Sequence, residues 1–291
     1  MKSGILNFAR RYDKVQNIMP YINVETLKEC YAEQPNTDVK KRFGEELETN
    51  IEELLCQMKA FSYYPQKNTG NRESSKHEFG FFKDAIVQYD FAEFLEQIYA
   101  VKNSVILSPR NRRLQNVGEK IVFYPYMWQA KIHVMEEESI DHIKLIAFLE
   151  QYIADKNFMR YIKRFLDSGI MENPIQSDAE LASDRTLTSI LMKIYCYHIL
   201  REWLCSKADN LHGKVYLCCH EEYFCFRAYN MRDLLKICNG LIDDQGQTGL
   251  QIVSNTYIED VFGKYRRSAN KAFFRQKTGV KLRGEYNEYV Y

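Results

Sequence analysis

The chain has 291 residues, of which 45% are hydrophobic and 27% charged, enough for one or two ordinary globular domains. The net charge of +1 argues against a strong non-specific nucleic-acid binder, because such domains are usually clearly basic. Without a long apolar run or a secretion signal, and with six of its eight cysteines clustered between residues 196 and 238, the sequence predicts a cytoplasmic protein with reduced thiols and no membrane span.

The first half of the chain alternates helical patterns with one polar stretch. Apolar residues at helical spacing predict helices at 24–33, 45–60 and 84–101. Residues 61–75 are polar and contain Pro65, Gly70 and several Asn and Ser, so they predict a loop. Aromatic and apolar residues alternate over 120–134, a pattern that predicts a strand.

The second half continues with helices and only short strands. Residues 141–168 predict a helix in two pieces that break near Asp155, and residues 173–185 predict a loop. Further along, the pattern predicts helices at 187–206, 231–245 and 257–276 and a strand at 249–253. Strands scattered among helices, without regular βαβ alternation, favour the α+β class over a doubly wound sheet.

A polar tetrad between two β-type runs is the most distinctive motif. Cys219-His220-Glu221-Glu222 is flanked by the apolar and aromatic runs 215–218 and 223–226. This pattern predicts a hairpin with a carboxylate pair at its turn. Polymerase palms present metal-binding carboxylates in this way.

The cysteines near this hairpin allow a second interpretation. A zinc site could draw on a group of residues that are close in sequence: Cys205, Cys218, Cys219, His220 and Cys225. Adjacent strand residues point to opposite faces, however, so Cys218 and Cys219 do not easily converge on one ion. Buried cysteines of a sheet core are the favoured interpretation.

Several segments resemble group II intron-type reverse transcriptases, in the same order as in that family. Residues 216–226 resemble the Y-A-D-D-F hairpin, and 63–66 (Tyr-Tyr-Pro-Gln) resemble the Y-x-P turn that opens the fingers. Residues 79–88 are similar to L-G-I-P-x-x-x-D-R-I-V-Q, and residues 104–109 are similar to S-Y-G-F-R-P. Residues 139–142 are similar to N-I-D-H, and residues 155–172 to the segment that ends in G-x-M-E. Residues 190–195 are similar to L-L-A-N-I-Y, and residues 249–252 to the strand after the palm helix. The resemblance spans roughly residues 25–255, and shared order makes it more specific than any single motif.

The resemblance implies a right-hand polymerase fold with a fingers-like region at 1–118 and a palm-like region at 119–255. Residues 256–291 would then form a short basic C-terminal helical segment, too short for a full maturase domain. Polymerase chemistry in the family uses two metal ions, held by one Asp of the first palm strand and two of the hairpin.

This chain departs from the family at those catalytic positions. Lys131 stands at the position of the first Asp, and a protonated amine cannot ligate Mg²⁺. Glu221 and Glu222 keep the hairpin charge on longer side chains, and a displacement of about 1 Å can cost on the order of 100-fold in rate. The P-Q-G-G loop is replaced by Ala182-Ser183-Asp184-Arg185, and the fingers Arg by Ser108. Together these changes indicate a pseudoenzyme.

An active site built on Glu ligands is the counter-hypothesis. Glu136, Glu137 and Glu138 follow Lys131, and Glu137 could substitute for the missing ligand. Glu221 and Glu222 would then hold Mg²⁺ or Mn²⁺. Otherwise no cofactor is expected, and the three consecutive Glu form a solvated turn.

A basic tract near the C-terminus points to RNA. Residues 261–284 contain no acid, and basic residues alternate there with aromatics, which suits a phosphate backbone with stacked bases. A solvated basic helix is the alternative. The candidate nucleic-acid-binding residues are Arg110, Arg112, Arg113, Lys264, Arg266, Arg267, Lys271, Arg275 and Lys277.

We therefore expect a reverse transcriptase-like protein, impaired or inactive as a polymerase, that binds RNA or a primer-template such as an RNA/DNA duplex. A structural or regulatory partner of an intact reverse transcriptase is the alternative, favoured by the near-neutral charge. A divergent active polymerase with Glu ligands is the second alternative.

Overall fold

In the computed structural model of the chain, the described residues are 9, 13–67, 75–102, 104–108, 113–116, 128–136, 140–171, 186–219, 223–252, 257–260 and 266–268. Two compact units interleave along the sequence. Unit 1 comprises 1–102 and 139–195, and unit 2 comprises 103–138 and 196–291. The predicted fingers-like, palm-like and C-terminal regions follow a different partition, and their correspondence to a polymerase stays a prediction.

Unit 1 is helical in the part that the structure describes. Its helices are α1 (Val24–Glu33), α2 (Asp38–Glu45), α3 (Leu47–Lys59), α4 (Ser75–Lys102), α5 (His142–Glu150), α6 (Lys156–Asp167) and the first part of α7 (Leu187–Ser206). Several begin at a polar cap: Asn23 accepts from the Thr26 N–H, and Thr26 Oγ1 in turn accepts from the Asn23 N–H. Such reciprocal capping fixes where a helix starts.

The break between α5 and α6 falls at Asp155, as the sequence predicts. Its carboxylate caps α6 by accepting from the N–H groups of Asn157 and Phe158. The other carboxylate oxygen accepts from the N–H of Ile18, 2.6 Å away, and so ties the segment before α1 to α6. One acid therefore begins a helix and anchors a remote segment.

Aromatic rings fill the core of unit 1. The rings of Phe91 in α4 and Phe158 in α6 stack with centroids 4.6 Å apart, and Tyr161 and Phe165 pack on Phe91 edge-on. The Tyr161 hydroxyl donates to the Met58 carbonyl at the end of α3. Burial of large rings is the main stabilising term here, and each pair adds about 1 kcal/mol beyond its buried area.

Unit 2 is built on an antiparallel sheet of seven strands. These are β1 (Ser104–Ser108), β2 (Arg113–Asn116), β3 (Trp128–Ile132), β5 (Val215–Cys219), β6 (Phe224–Ala228), β8 (Tyr257–Asp260) and β9 (Arg266–Ser268), in the spatial order β2-β1-β5-β6-β3-β8-β9. Strands β4 (Val134–Glu136) and β7 (Leu250–Ile252) form a separate pair. Helix α8 (Met231–Asp243) packs on β3 and β6, and the short α9 (Gln245–Thr248) follows it. The rest of α7 also belongs to this unit.

The α+β class is confirmed, and most of the predicted helices and strands are present. The final helix predicted at 257–276 is wrong where the structure describes it, because β8 pairs with β3 and β9 pairs with β8. Tyr257 and Ile258 favour strands, and the edge of β3 supplies hydrogen bonds that a local helix would otherwise provide. Helix α2 and strands β1 and β2 are elements that the sequence patterns did not predict. Among the described residues, no helix combines the length and apolar character needed to cross a membrane.

Candidate functional site

The hairpin predicted from the sequence is present. Strands β5 and β6 pair in antiparallel register, from Val215 opposite Ala228 to Cys219 opposite Phe224. Four residues, 220–223, connect them. The tip residues Glu221 and Glu222 lie outside the described residues, so their role as metal ligands stays a prediction.

Lys131 lies on β3, next to β6. It is opposite Cys225 in the register, so it is close to the hairpin turn in the plane of the sheet. Its Nζ lies 5.4 Å from the ring centroid of Tyr223, the residue that follows Glu222. The His133 ring lies on the same tyrosine, with centroids 5.9 Å apart. A cation, Lys131, thus lies next to the hairpin turn, where the resemblance predicts the position of the family's first catalytic acid.

A second cation, which is buried, lies on the same sheet face as the partly exposed Lys131. Arg227 on β6 is opposite Gln129 on β3, and register partners share a face, as do residues two apart on one strand. The Arg227 Nε donates to the Gln129 Oε1, 3.2 Å away, and the Cys225 thiol donates to the same oxygen across 3.7 Å. Arg227 and Gln129 are 5% and 7% exposed. On β3 and β6 this face therefore places an ammonium and a guanidinium close to amide and thiol groups. Glu259 of β8 is opposite Gln129 in the register.

Strands β3, β5 and β6 contain no carboxylate. Their residues offer an ammonium, a guanidinium, an amide and thiols, which do not form the oxygen-rich shell that Mg²⁺ prefers. A metal ion at the hairpin would depend on Glu221, Glu222 and Glu137, all of which lie outside the described residues. The charged groups of β3 and β6 are both cations, Lys131 and Arg227, and such groups bind anions rather than metal ions.

The cysteines of the hairpin are arranged as parts of a strand core. Cys218 on β5 and Cys225 on β6 are register partners, and both are buried. Cys219, one residue further, points to the opposite face. All eight cysteines of the chain are free thiols. Among the described residues, one grouping of side chains is close enough to hold a metal ion, and it includes none of the hairpin cysteines.

That grouping lies in unit 1, where no sequence motif predicted it. Ligand atoms of Cys30, Asp90 and Glu93 lie within 4.8 Å of one another. The Cys30 thiol donates to an Asp90 carboxylate oxygen across 3.7 Å. Three groups are one fewer than a structural zinc site uses, and a thiolate suits Mg²⁺ poorly. The hydrogen bond explains the cluster without a metal.

The predicted nucleic-acid-binding residues that the structure describes are not brought together. Arg113 is on β2, whereas Arg266 and Arg267 are on β9, and these strands form the two opposite edges of the sheet. The remaining candidates lie outside the described residues: Arg110, Arg112, Lys264, Lys271, Arg275 and Lys277. A single basic surface that includes both edges is therefore not supported by the sheet order.

A cavity in unit 1 is the feature that sequence reasoning missed. It has a volume of about 790 Å³, a size typical of ligand sites, and its lining combines aromatic, amide and charged groups: Arg42, Gln57, Ser62, Tyr63, Tyr64, Gln66, Phe79, Gly80, Lys83 and Asp84. The similarity of residues 63–66 and 79–88 to two fingers segments was the available signal. Residues of both segments line the cavity, but the sequence similarity did not indicate that a cavity lies between them.

Asp84 is the buried acid of this cavity. It is 2% exposed, accepts a short hydrogen bond from the Tyr63 hydroxyl, and accepts from the Gln66 N–H at 2.8 Å. Burial raises the pKa of Asp84 to about 6, although both hydrogen bonds act in the opposite direction. Burial and the neighbouring acid also raise the pKa of Tyr63 well above its usual value. Asp84 therefore holds the turn at 63–66 in place.

Arg164 of α6 holds the same turn from its other side. Its guanidinium donates to the carbonyls of Tyr63, at 2.7 Å, and Phe61, at 3.1 Å. The same group stacks on the ring of Tyr64, with its carbon atom 3.9 Å from the centroid. The turn is thus fixed by an acid and a cation.

Comparison with protein-family models finds no match for this chain, and comparison with curated protein sequences finds none either.

Proposed function

We propose that this chain is a reverse transcriptase-like protein, impaired or inactive as a polymerase, that binds RNA or a primer-template. The observation that carries the proposal is the position of Lys131, on the strand next to the hairpin and over Tyr223. A lysine at this point repels the metal ions that phosphoryl transfer needs, whereas it attracts the phosphates of a bound strand.

Three further features support the resemblance on which the proposal rests. The hairpin lies beside the strand that carries Lys131 in an antiparallel sheet. Helix α8 follows the hairpin and packs on β3 and β6. The break at Asp155, between the segments 139–142 and 155–172 that resemble the family in sequence, is also present. The lost P-Q-G-G loop and fingers Arg point to the same loss of catalysis.

Primer extension on an RNA template tests the absence of polymerase activity. We expect no product with Mg²⁺ and none with Mn²⁺. Because Lys131 is the proposed block, Lys131→Asp is the variant in which weak extension should appear, and Lys131→Gln should remain inactive because it removes charge without adding a ligand. Robust extension by the unmodified protein that disappears in Glu221→Ala and Glu222→Ala would establish the divergent polymerase instead.

RNA binding is tested by affinity measured over a salt series. Each phosphate contact contributes about 0.7 to the slope of log affinity against log salt for a single strand. Neutralising Lys271, Arg275 and Lys277 to Gln should reduce that slope by about 2 if all three contact phosphates. Substitution is preferable to deletion of the whole tract, because Arg266–Ser268 forms strand β9 of the sheet.

A structural or regulatory partner of an intact reverse transcriptase is the second candidate function. The near-neutral net charge of +1 favours it over RNA binding. Absence of salt-dependent RNA binding, together with a stable complex between this chain and an active reverse transcriptase in size-exclusion chromatography, would favour this second function.

A further inference from the structure

We infer that the cavity in unit 1 is a binding site for one nucleotide of a single strand, with its base on Tyr64 and its phosphate at Arg42 and Lys83. The inference rests on the proposed function for the source of the nucleotide, an RNA strand. The binding chemistry stands on the cavity alone. All of its residues belong to unit 1, and the hairpin takes no part in it.

Tyr64 is an exposed aromatic ring that is held in one orientation. It is 62% exposed, although tyrosine usually buries most of its ring in a folded protein. The Arg164 guanidinium lies 3.9 Å from the ring centroid, and it is itself fixed by two backbone carbonyls. A ring that is held in advance stacks on a base without much further loss of side-chain entropy.

Arg42 and Lys83 give the cavity two cations. Arg42 donates to Glu78 at 2.9 Å, and Lys83 to Glu53 at 3.3 Å. These acids are about half exposed, so the ion pairs contribute little stability and exchange readily for a phosphate. The Lys83 side chain is only 18% exposed, which positions its ammonium more firmly than that of a surface lysine.

Gln57, Gln66 and Ser62 supply groups that can recognise a base edge. Amides and hydroxyls both donate and accept, as an unpaired base requires. Gln66 is held through its N–H by Asp84, and its side chain lies directly against Gly80 of α4. A Cβ at position 80 would lie 2.7 Å from the Gln66 Cγ, so glycine permits this close approach. The amide group therefore lines the cavity beside the helix.

Two cations of the cavity, Arg42 and Lys83, are held by partly exposed acids that a phosphate can displace. Arg42, Lys83 and the buried Arg164 are cations, and Arg164 is bound by carbonyls. Asp84 is the acid of the lining, and the Tyr63 hydroxyl and the Gln66 N–H both donate to its carboxylate. Asp84 is therefore a positioning residue, and Arg42 and Lys83 become available to a ligand that displaces Glu78 and Glu53.

Binding of 5′-AMP and of a short single-stranded oligoadenylate to the full chain tests the inference. Both ligands should bind, the oligonucleotide more tightly. Tyr64→Ala should weaken binding of both by about tenfold, the usual loss when a stacking aromatic is removed. Tyr64→Phe should bind within about twofold of the unmodified protein, because it keeps the ring. Arg42→Gln and Lys83→Gln should each flatten the salt dependence by about 0.7 if each cation contacts a phosphate.

Tyr229→Ala is the matched control, because Tyr229 is an exposed tyrosine of unit 2, and it should leave AMP affinity unchanged. A blunt RNA duplex should compete poorly, because its bases are paired and cannot stack on Tyr64. No binding of either ligand, or equal affinity for Tyr64→Ala and the unmodified protein, would overturn the inference. If the protein binds AMP through Tyr64 but does not bind RNA, the cavity is a site for free nucleotides and the proposed RNA-binding function is wrong.

Discussion

The turn at residues 61–66 in unit 1 is held by a buried acid and a buried cation, whereas the described residues of the β5–β6 hairpin in unit 2 include a buried cation and no acid. The turn has a buried acid, Asp84, which accepts hydrogen bonds from a hydroxyl and an N–H. The hairpin sheet has a buried cation, Arg227, which donates to an amide oxygen. The position at which the resemblance predicts a missing acid, Lys131, is on β3 beside the hairpin, and the hairpin itself retains Glu221 and Glu222 in sequence.

The features that build a scaffold and the side chains that catalysis requires therefore respond differently to sequence change. Apolar patterns that build a scaffold persist as long as packing is preserved, whereas catalysis depends on single side chains and tolerates displacements of only about 1 Å. In unit 1 the polar groups hold a turn and leave a cavity with cations at its edge. In unit 2 the Arg227 guanidinium and the Cys225 thiol share the Gln129 oxygen, and β3, β5 and β6 offer no carboxylate for a metal ion.

Removing the cation that holds the turn should have the largest effect on stability. Arg164→Met leaves two carbonyls without their donor in a buried site, so we expect a loss of about 3 kcal/mol in the free energy of unfolding. Urea denaturation followed by circular dichroism measures it. Arg160→Met, an exposed position on the same helix, is the control and should cost under about 1 kcal/mol. Equal losses would mean that the two carbonyl hydrogen bonds do not stabilise the turn.

The acid of the turn should make stability depend on pH. Because the folded pKa of Asp84 is raised from 3.8 to about 6, its contribution is fully present below pH 4 and is lost as pH rises through 6. The expected loss is about 2 kcal/mol across that window. Comparison of unfolding free energies at both ends in the unmodified protein and in Asp84→Asn measures this difference. An identical pH dependence in the two proteins would contradict the assignment.

The sheet face should be less sensitive than the turn. Gln129→Leu removes the oxygen that accepts from Arg227 and Cys225, and we expect a loss of about 2 kcal/mol because a buried guanidinium loses a hydrogen bond. Gln251→Leu, at an exposed position of β7, is the matched control and should change stability by less than about 0.5 kcal/mol. A loss in Gln129→Leu no greater than in the control would show that this hydrogen bond contributes nothing.

Two glycine substitutions are expected to have the smallest effects on stability, and they test whether the Gln66 side chain is held against α4. Gly246→Ala, in α9 with open space around it, should stabilise the protein by about 0.5–1 kcal/mol through helix propensity. Gly80→Ala gains the same term in α4 but must displace the side chain of Gln66. We therefore expect no net gain in thermal stability for Gly80→Ala, together with weaker AMP binding. A gain equal to that of Gly246→Ala, with unchanged AMP affinity, would show that Gln66 is not held there.

The outcomes for individual elements show where sequence patterns are sufficient. The helices Val24–Glu33 and Leu187–Ser206 begin and end where the patterns predict, and the break at Asp155 is correct. The hairpin of β5 and β6 was predictable because its two strands are adjacent in sequence. The strand pairing of residues 257–260 was not, because basic and aromatic residues at helical spacing suggested a helix while β3 supplied the partner from more than a hundred residues away.

By itself, the sequence determined the helices, their caps and the hairpin, because the hydrogen bonds that define them join residues close in the chain. It also placed a lysine where the resembled family has an acid. Only the tertiary structure decided the strand order, the burial of Asp84, the position of Lys131 over Tyr223 and the cavity beside Tyr64. Each of these depends on distant segments meeting, and the solvation and charge around a side chain are set by those neighbours rather than by adjacent residues.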